Sequence, residues 1–398
     1  MYQDPIVIIS IARTPIGNLL GELKEFSSTQ LGAHVIKAVI ERAQLKAEDI
    51  HEVLMGCVLP AGLGQAPARQ ASIQAGIPTS TPCTTINKVC GSGMKAVMFA
   101  HDMLAVGTTD IIIAGGMESM TNAPYLLLKA RQGYRLGHQT VFDHMLLDGL
   151  EDAYEKESHQ RAMGYFAEQC AQHYHFSRKQ QDDYALSSFE RAQSATRENI
   201  FTREIVPLRL QTKQGEHLID KDEHPFSVNP ERIPTLPAAF VKEGSVTAGN
   251  SSSIADGAAA LGLMKQSAAE KRGILPLARI VGHHSSAKAP AEFTTAPIDA
   301  TRKLLEKLNW TVAEVDLFEV NEAFAVVVLA IMQDLNIPHE KINIHGGACA
   351  LGHPIGATGA RILVTLIAAL QQRGLKRGIA SLCIGGGEAT AIAVEMMQ

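Results

Sequence analysis

Thr84–Ala96 reads TTINKVCGSGMKA and runs through a helical pattern into IIIAGG at Ile111–Gly116. Far downstream, Ile342–Ala360 reads INIHGGACALGHPIGATGA and leads, through a helix from Arg361, into SLCIGGG at Ser381–Gly387. Each stretch is a Gly-rich turn, a helix and a strand that ends in glycines. The separation of the two copies is far longer than a solenoid unit, so duplication of a whole α/β domain is predicted.

Ile6–Ile9, Val53–Cys57, Asp110–Ala114, Val315–Val320 and Ile379–Ile384 are short aliphatic runs of the kind buried in sheets. Leu31, Val35 and Val39 recur at four-residue spacing and predict an amphipathic helix, with Ser28 and Thr29 offering hydroxyls to its first amides. Between the two copies, residues 129–243 are rich in charge and histidine. Within that segment Pro225–Pro237 reads as irregular chain over a surface, and Ser177 with Gln180 forms a capping-box pattern that opens a helix through about Ala195. The expected organisation is a core domain over 1–120 completed by about 244–270, an inserted loop domain over 121–243, and a second core domain over 271–398.

Composition narrows the function. The chain has 398 residues, 46% of them hydrophobic, enough for a large core. Its 36 basic and 41 acidic side chains leave a net charge of −5, with no basic excess to hold a nucleic acid or an anionic membrane. The apolar runs Ala323–Gln333 and Ile362–Gln372 fall short of the ~20 residues that span a bilayer. Met1–Ser10 carries Asp4 and no basic, small-residue leader pattern, which predicts a cytoplasmic protein. Cys57, Cys83, Cys90, Cys170, Cys349 and Cys383 form no CxxC pair and are expected to be reduced.

Four residues suit chemistry. Cys90 lies between a β-like run and a helix, where free amides and the helix dipole favour thiolate and the flanking glycines admit a substrate. His353, stiffened by Pro354 and again just before a helix, has the chemistry to take a thiol proton and hydrogen-bond a carbonyl oxygen. Cys383 precedes three glycines whose amides suit an oxyanion, and its thiol can exchange a proton with carbon. Asn321 follows a strand and precedes a helix, either as an N-cap or as a side chain orienting a water or carbonyl. The pairs His173 with His175 and His283 with His284 lack the spacing of a zinc site, so no metal is expected. Neither GxGxxG in its strand-turn-helix context nor a Walker sequence is present, so NAD and ATP lose support.

NKVCGSGMKA at Asn87–Ala96, GGMES at Gly115–Ser119, TAGN at Thr247–Asn250, NEAFA at Asn321–Ala325, GHPIGATGAR at Gly352–Arg361 and CIGGG at Cys383–Gly387 occur in one order. Together they make the chain resemble the thiolase family over essentially its whole length. MTNAPY at Met120–Tyr125 is most similar to the acetyl-CoA acetyltransferase branch. The resemblance implies duplicated core domains in an α-β-α-β-α arrangement, with the loop domain covering coenzyme A and forming a homotetramer, a dimer of dimers. It implies reversible condensation of two acetyl-CoA to acetoacetyl-CoA and CoA. Cys90 would be the acylated nucleophile, His353 its base, Cys383 the α-proton base, and Asn321 the holder of a water in one oxyanion hole. The amides of Cys90 and Gly385 would form the other hole. Met163, Phe240, Ser252, Ala323 and Phe324 would contact coenzyme A, a substrate and product rather than a resident cofactor. The alternatives are a broad-range 3-ketoacyl-CoA thiolase of fatty-acid β-oxidation and, in another class, a non-catalytic acyl-CoA-binding protein. Departures from the family pattern are Ala162, a longer stretch over Glu155–Arg161, His345, and Glu388-Ala389 where Met-Gly is frequent.

Overall fold

The structure, a computed structural model, describes residues 4–157, 161–213 and 215–397; part of the longer Glu155–Arg161 stretch, 158–160, lies outside the described residues. One ten-stranded sheet runs, edge to edge, through Cys83–Ile86, Glu52–Gly56, Ile111–Ser119, Ala255–Lys265, Ile6–Arg13, Ala278–Ala287, Glu388–Met396, Arg377–Ile384 and Leu317–Val320. Gly17–Asn18 pairs with Ala255–Lys265 off this path.

The order shows the duplication directly. Outward from Ile6–Arg13 the neighbours are antiparallel (Ala255–Lys265), antiparallel (Ile111–Ser119), parallel (Glu52–Gly56) and parallel (Cys83–Ile86). Outward from Ala278–Ala287 they are Glu388–Met396, Arg377–Ile384 and Leu317–Val320, in the same senses, closed by a parallel bridge from Phe318 to Ile342. The halves join through Val7 on Arg279 and Ile8 on Ala278. Ala255–Lys265 and Glu388–Met396 escape a reading by aliphatic runs because both are alanine-rich; interior pairing on both edges overrides their weak strand preference.

The period-two alternation of each strand sorts its side chains between two layers. Ile6, Ile8, Ile112, Leu261, Leu382 and Val394 pack on the helices Ser92–Val106 and Thr358–Arg373 between the half-sheets. Val7, Ile9, Ile111 and Ile113 face outward with Leu31, Val35 and Val39 of the helix Ser28–Arg42. Phe318, Val320 and Ile379 face outward in the other half, onto Ala296–Leu308 and Ala325–Leu335. The result is the α-β-α-β-α stack. Where the two central helices cross, a Cβ on Gly93 would lie 2.9 Å from the Ala360 nitrogen, and one on Gly359 2.5 Å from the Met94 nitrogen. Only glycine permits that approach, and it sets the N-termini of the two helices side by side.

The cap of the first helix differs from expectation by one residue. Ser27 Oγ accepts the Gln30 N–H at 3.3 Å while Gln30 Oε1 accepts the Ser27 N–H at 2.9 Å. Ser28 instead accepts the Ser119 N–H at 2.8 Å, tying the helix to the sheet. Between Ser119 and Ala255 lie the helices Met163–His173 and Arg178–Arg197 and the hairpin Leu208–Thr212 with Gly215–Ile219. Ser177 caps the second of these helices with Gln180, as its spacing predicts. Pro225–Pro237 is not irregular throughout: it carries short helical turns at His224–Ser227 and Pro230–Thr235. Among the described residues, no helix is long and apolar enough to cross a membrane.

Candidate active site

Cys90 sits two residues before the helix Ser92–Val106, in a turn built by its neighbours. Lys88 N–H donates to Ser92 Oγ at 2.8 Å, and Ser92 Oγ donates to the Val89 carbonyl at 2.7 Å. Val89 itself is held at φ +46°, a strained conformation for a β-branched residue. This pinned bend projects the sulfur toward the end of the strand Arg377–Ile384, where it meets the backbone amides of Gly385 and of Cys90 itself.

Burial raises the Cys90 thiol to about 11, and those two amides only partly offset it. The helix-end preference for thiolate expected from the sequence is therefore outweighed by desolvation. Cys383 is buried on the same strand, its thiol pushed well above its ordinary value by burial first and then by Cys90. The two sulfurs are thus electrostatic neighbours.

His353 lies in the loop that opens the helix Thr358–Arg373, its backbone N–H donating to the Ser253 carbonyl at 2.9 Å. Its Nδ1 is 2.6 Å from Thr358 Oγ1, whose single proton goes to the Pro354 carbonyl at 3.0 Å. Thr358 therefore accepts from Nδ1–H, and Nε2, buried with no partner among the described residues, carries the lone pair. Burial, reinforced by the Arg361 charge, lowers the imidazole to about 3, so it is neutral at physiological pH. At rest Cys90 is therefore a thiol and His353 a neutral base.

Asn321 does not cap a helix: the helix after it starts at Ala325 with Phe324 as its N-cap. Its backbone N–H donates to the Ser381 carbonyl at 3.0 Å, two residues from Cys383. Its side-chain oxygen and nitrogen are both buried without partners among the described residues, free to hold a water or a carbonyl.

The residues expected to contact a thioester ligand form one wall next to Gly385. A Cβ on Gly385 would be 3.6 Å from Met163 Sδ. Phe240 covers Gly164 and meets Phe324 edge-on, ring centroids 5.9 Å apart. Ser252 N–H donates to the Ala323 carbonyl at 3.0 Å, and Ser251 bridges to Phe324.

Sequence reading passed over three supporting residues. Glu118, in GGMES, accepts the Val58 and Gly356 N–H groups, each at 2.9 Å, and that of Leu59 at 3.2 Å, so one buried carboxylate joins the His353 loop to the loop packed near Cys90. Glu322, in NEAFA, accepts Tyr184 and Ser188 hydroxyls at 2.7 Å each and the Asn343 amide and Cys349 N–H at 3.0 Å each. Lys88 pairs with Glu388, so the residue that departs from the family pattern clasps the Cys90 turn. For Glu118 and Glu322 the available signal was a carboxylate placed inside a predominantly apolar run, where burial demands several donors.

Burial raises the Glu118 carboxyl from its ordinary 4.5 to about 7 against the pull of its N–H donors. A carboxyl with a raised folded-state pKa binds a proton in the native protein that the unfolded chain has already lost, so its contribution to stability declines as pH rises through about 7. The stability difference between wild type and Glu118→Gln is expected to shift against wild type by roughly 2–3 kcal/mol between pH 5 and pH 8, at about 1.4 kcal/mol per pH unit. Urea titrations at both pH values test this; a difference independent of pH would refute it.

Comparison with known proteins follows the same lines. The family models "Thiolase, N-terminal domain" and "Thiolase, C-terminal domain" match residues 6–267 and 274–396. The chain is 46% identical over 397 residues to acetyl-CoA acetyltransferase of Allochromatium vinosum, covering 99% of this chain and all (100%) of that one. It is 47% identical over 396 residues to acetyl-CoA acetyltransferase 1 of Arabidopsis thaliana, covering 99% and 94%. Among solved structures it is similar to the Acat5 thiolase from Ascaris suum in complex with coenzyme A, with a TM-score of 0.92, 39% identity and coverage of 99% and 100%. The Bacillus anthracis acetyl-CoA acetyltransferase superposes with a TM-score of 0.95, 38% identity and coverage of 99% of each chain.

Proposed function

The chain belongs to the thiolase family, and from that premise we propose that it is an acetyl-CoA C-acetyltransferase, condensing two acetyl-CoA to acetoacetyl-CoA and CoA and running the reverse cleavage. The observation that carries the reading is the meeting of the Cys90 sulfur with the Gly385 amide beside the second buried thiol, Cys383.

In the first half-reaction Cys90 Sγ attacks the acetyl thioester as His353 Nε2 takes its proton. The amides of Cys90 and Gly385 bind the developing oxyanion, each such donor contributing roughly 3 to 4 kcal/mol. The C–S bond to CoA then breaks and His353 returns the proton to the departing thiolate. Thioester is exchanged for thioester, so acetyl-Cys90 lies close in energy to the substrate and the reaction is reversible. In the second half-reaction His353 Nε2 takes the Cys383 thiol proton, the resulting thiolate removes an α-proton from the next acetyl-CoA, and the enolate oxygen is held by the Nε2–H of His353 and a water on Asn321. The carbanion attacks acetyl-Cys90 and releases the Cys90 sulfur as a thiolate, which takes the proton back from His353. A neutral His353 suits the first task, which a protonated imidazole would be unable to start, and the proton it takes from Cys383 supplies the donor that the second requires.

Met163, Phe240, Ser252, Ala323 and Phe324 contact the pantetheine arm in this reading, and residues 121–243 form a loop domain between core domains over 1–120, completed by 244–270, and 271–398. A homotetramer built through that loop domain is supported by Tyr125, Leu127, Leu136, Val141 and Tyr154, large apolar side chains left exposed on it. Light scattering that finds only monomer at micromolar concentration would refute it. A cytoplasmic location is supported by the six free cysteines. The deciding assay follows acetoacetyl-CoA loss with added CoA. The kcat/KM is expected to be at least about tenfold higher for the four-carbon substrate than for eight- to sixteen-carbon chains, and equal values would favour the broad-range alternative.

A further inference from the structure

His283, which sequence spacing sets aside, does not stand alone in the fold. His101 and Asp102 lie on the helix Ser92–Val106 of the first half, and His283 lies on the strand Ala278–Ala287 of the second. Asp102 Oδ1 is 3.0 Å from His101 Nδ1 and 2.9 Å from His283 Nε2, and the two nitrogens are 3.3 Å apart. The imidazoles are part-buried, the carboxylate is more exposed, and the group opens on a concavity of ≈ 520 Å³.

We propose that His101, Asp102 and His283 form a binding site for a divalent transition metal of the zinc type, which staples the helix of one half to the strand of the other. Three donor atoms from three side chains converge on a single point, an arrangement that a cation at that point relieves. Ligands around a tetrahedral zinc with bonds of ~2.0–2.1 Å are ~3.3 Å apart, close to the spacings here. Two imidazoles and one carboxylate match zinc, copper or nickel rather than magnesium or calcium, and the concavity leaves the fourth position to water. The neighbouring cations do not block the site: Lys307 Nζ is turned to the His283 carbonyl at 3.4 Å, and Arg279 is engaged by Glu395. None of its three residues belongs to the acyl-transfer machinery, so the site stands or falls apart from that chemistry. Sequence spacing concealed it because two of its ligands and the third are at least 181 positions apart.

Equilibrium dialysis against Zn2+ alone, with metal quantified per chain, tests the proposal on wild type, Asp102→Asn and His283→Gln. Wild type is expected to hold one more Zn2+ than either variant, with affinity at that site reduced about 100-fold or more in the variants, since even outer partners of metal ligands are worth 10–100-fold. Zn2+ should raise the thermal midpoint of wild type and leave those of the variants unmoved, while all three turn over alike without metal. Should either variant fail to fold, His101→Gln replaces it. Equal zinc content and equal thermal shifts in wild type and variants would assign any bound metal to the thiols and overturn the site, as would a wild type that binds none.

Discussion

Replacing Cys90 by serine is expected to lower turnover of acetoacetyl-CoA with CoA by ~10³-fold or more and to abolish the acetyl adduct on the peptide that contains residue 90. The substitution is nearly isosteric, and the turn around it is held by Ser92, Val89 and the Lys88–Glu388 pair, none of which involves the sulfur. The fold should therefore persist, and circular dichroism checks that it does. The loss is chemical. A hydroxyl ionises far less readily than even the Cys90 thiol raised to about 11, and its only base is an imidazole lowered to about 3. An oxygen ester at this position would also be too stable for a CoA thiol to reopen at the same rate. Wild-type turnover by Cys90→Ser, or an acetyl group found on another residue, would remove Cys90 from the nucleophile's place.

Cys383→Ala should separate the two halves of the reaction. Acetyl transfer from acetyl-CoA to Cys90 needs only Cys90, His353 and the amide hole, so rapid quench followed by peptide mass analysis should still find acetyl-Cys90. Condensation needs a base for the α-proton, and its loss should slow that step by ~10²–10⁴-fold. Exchange of the acetyl α-hydrogens with deuterated solvent should stop with it. Cys383 is buried and its thiol is held well above the ordinary range, so it rests as a thiol and gives its proton to His353 before it takes one from the α-carbon. If Cys383→Ala slowed both half-reactions equally, the residue would be a packing element of the strand rather than the carbon base.

The particular successes and failures of the sequence reading have a common physical origin. Ser177 with Gln180 is a cap that involves four consecutive residues, and the pattern is complete in the chain. Ser27, one residue ahead of the expected hydroxyls, is the actual cap of its helix because Ser28 is drawn to the Ser119 amide of a distant strand. Asn321 looked like a cap because a strand precedes it and a helix follows; the backbone bond to Ser381 carries the chain past that point, and the cap falls at Phe324. Glu118 and Glu322 were passed over for the opposite reason. Each is a single acid in an apolar run, and its four or so donors come from segments that no window on the sequence contains.

By itself the amino-acid sequence determined that an α/β unit occurs twice, that Cys90 and His353 open corresponding helices in the two copies, and that Cys383 ends a strand before three glycines. Such features rest on neighbours a few residues apart, where backbone geometry and side-chain periodicity act alone. Only the tertiary structure decided that Gly93 and Gly359 press those helices together, that burial leaves a thiol and a neutral imidazole instead of an ion pair, and that His101, Asp102 and His283 share one point in space. Desolvation and convergence are properties of what surrounds a group in three dimensions, and part of those surroundings comes from segments far away in the chain.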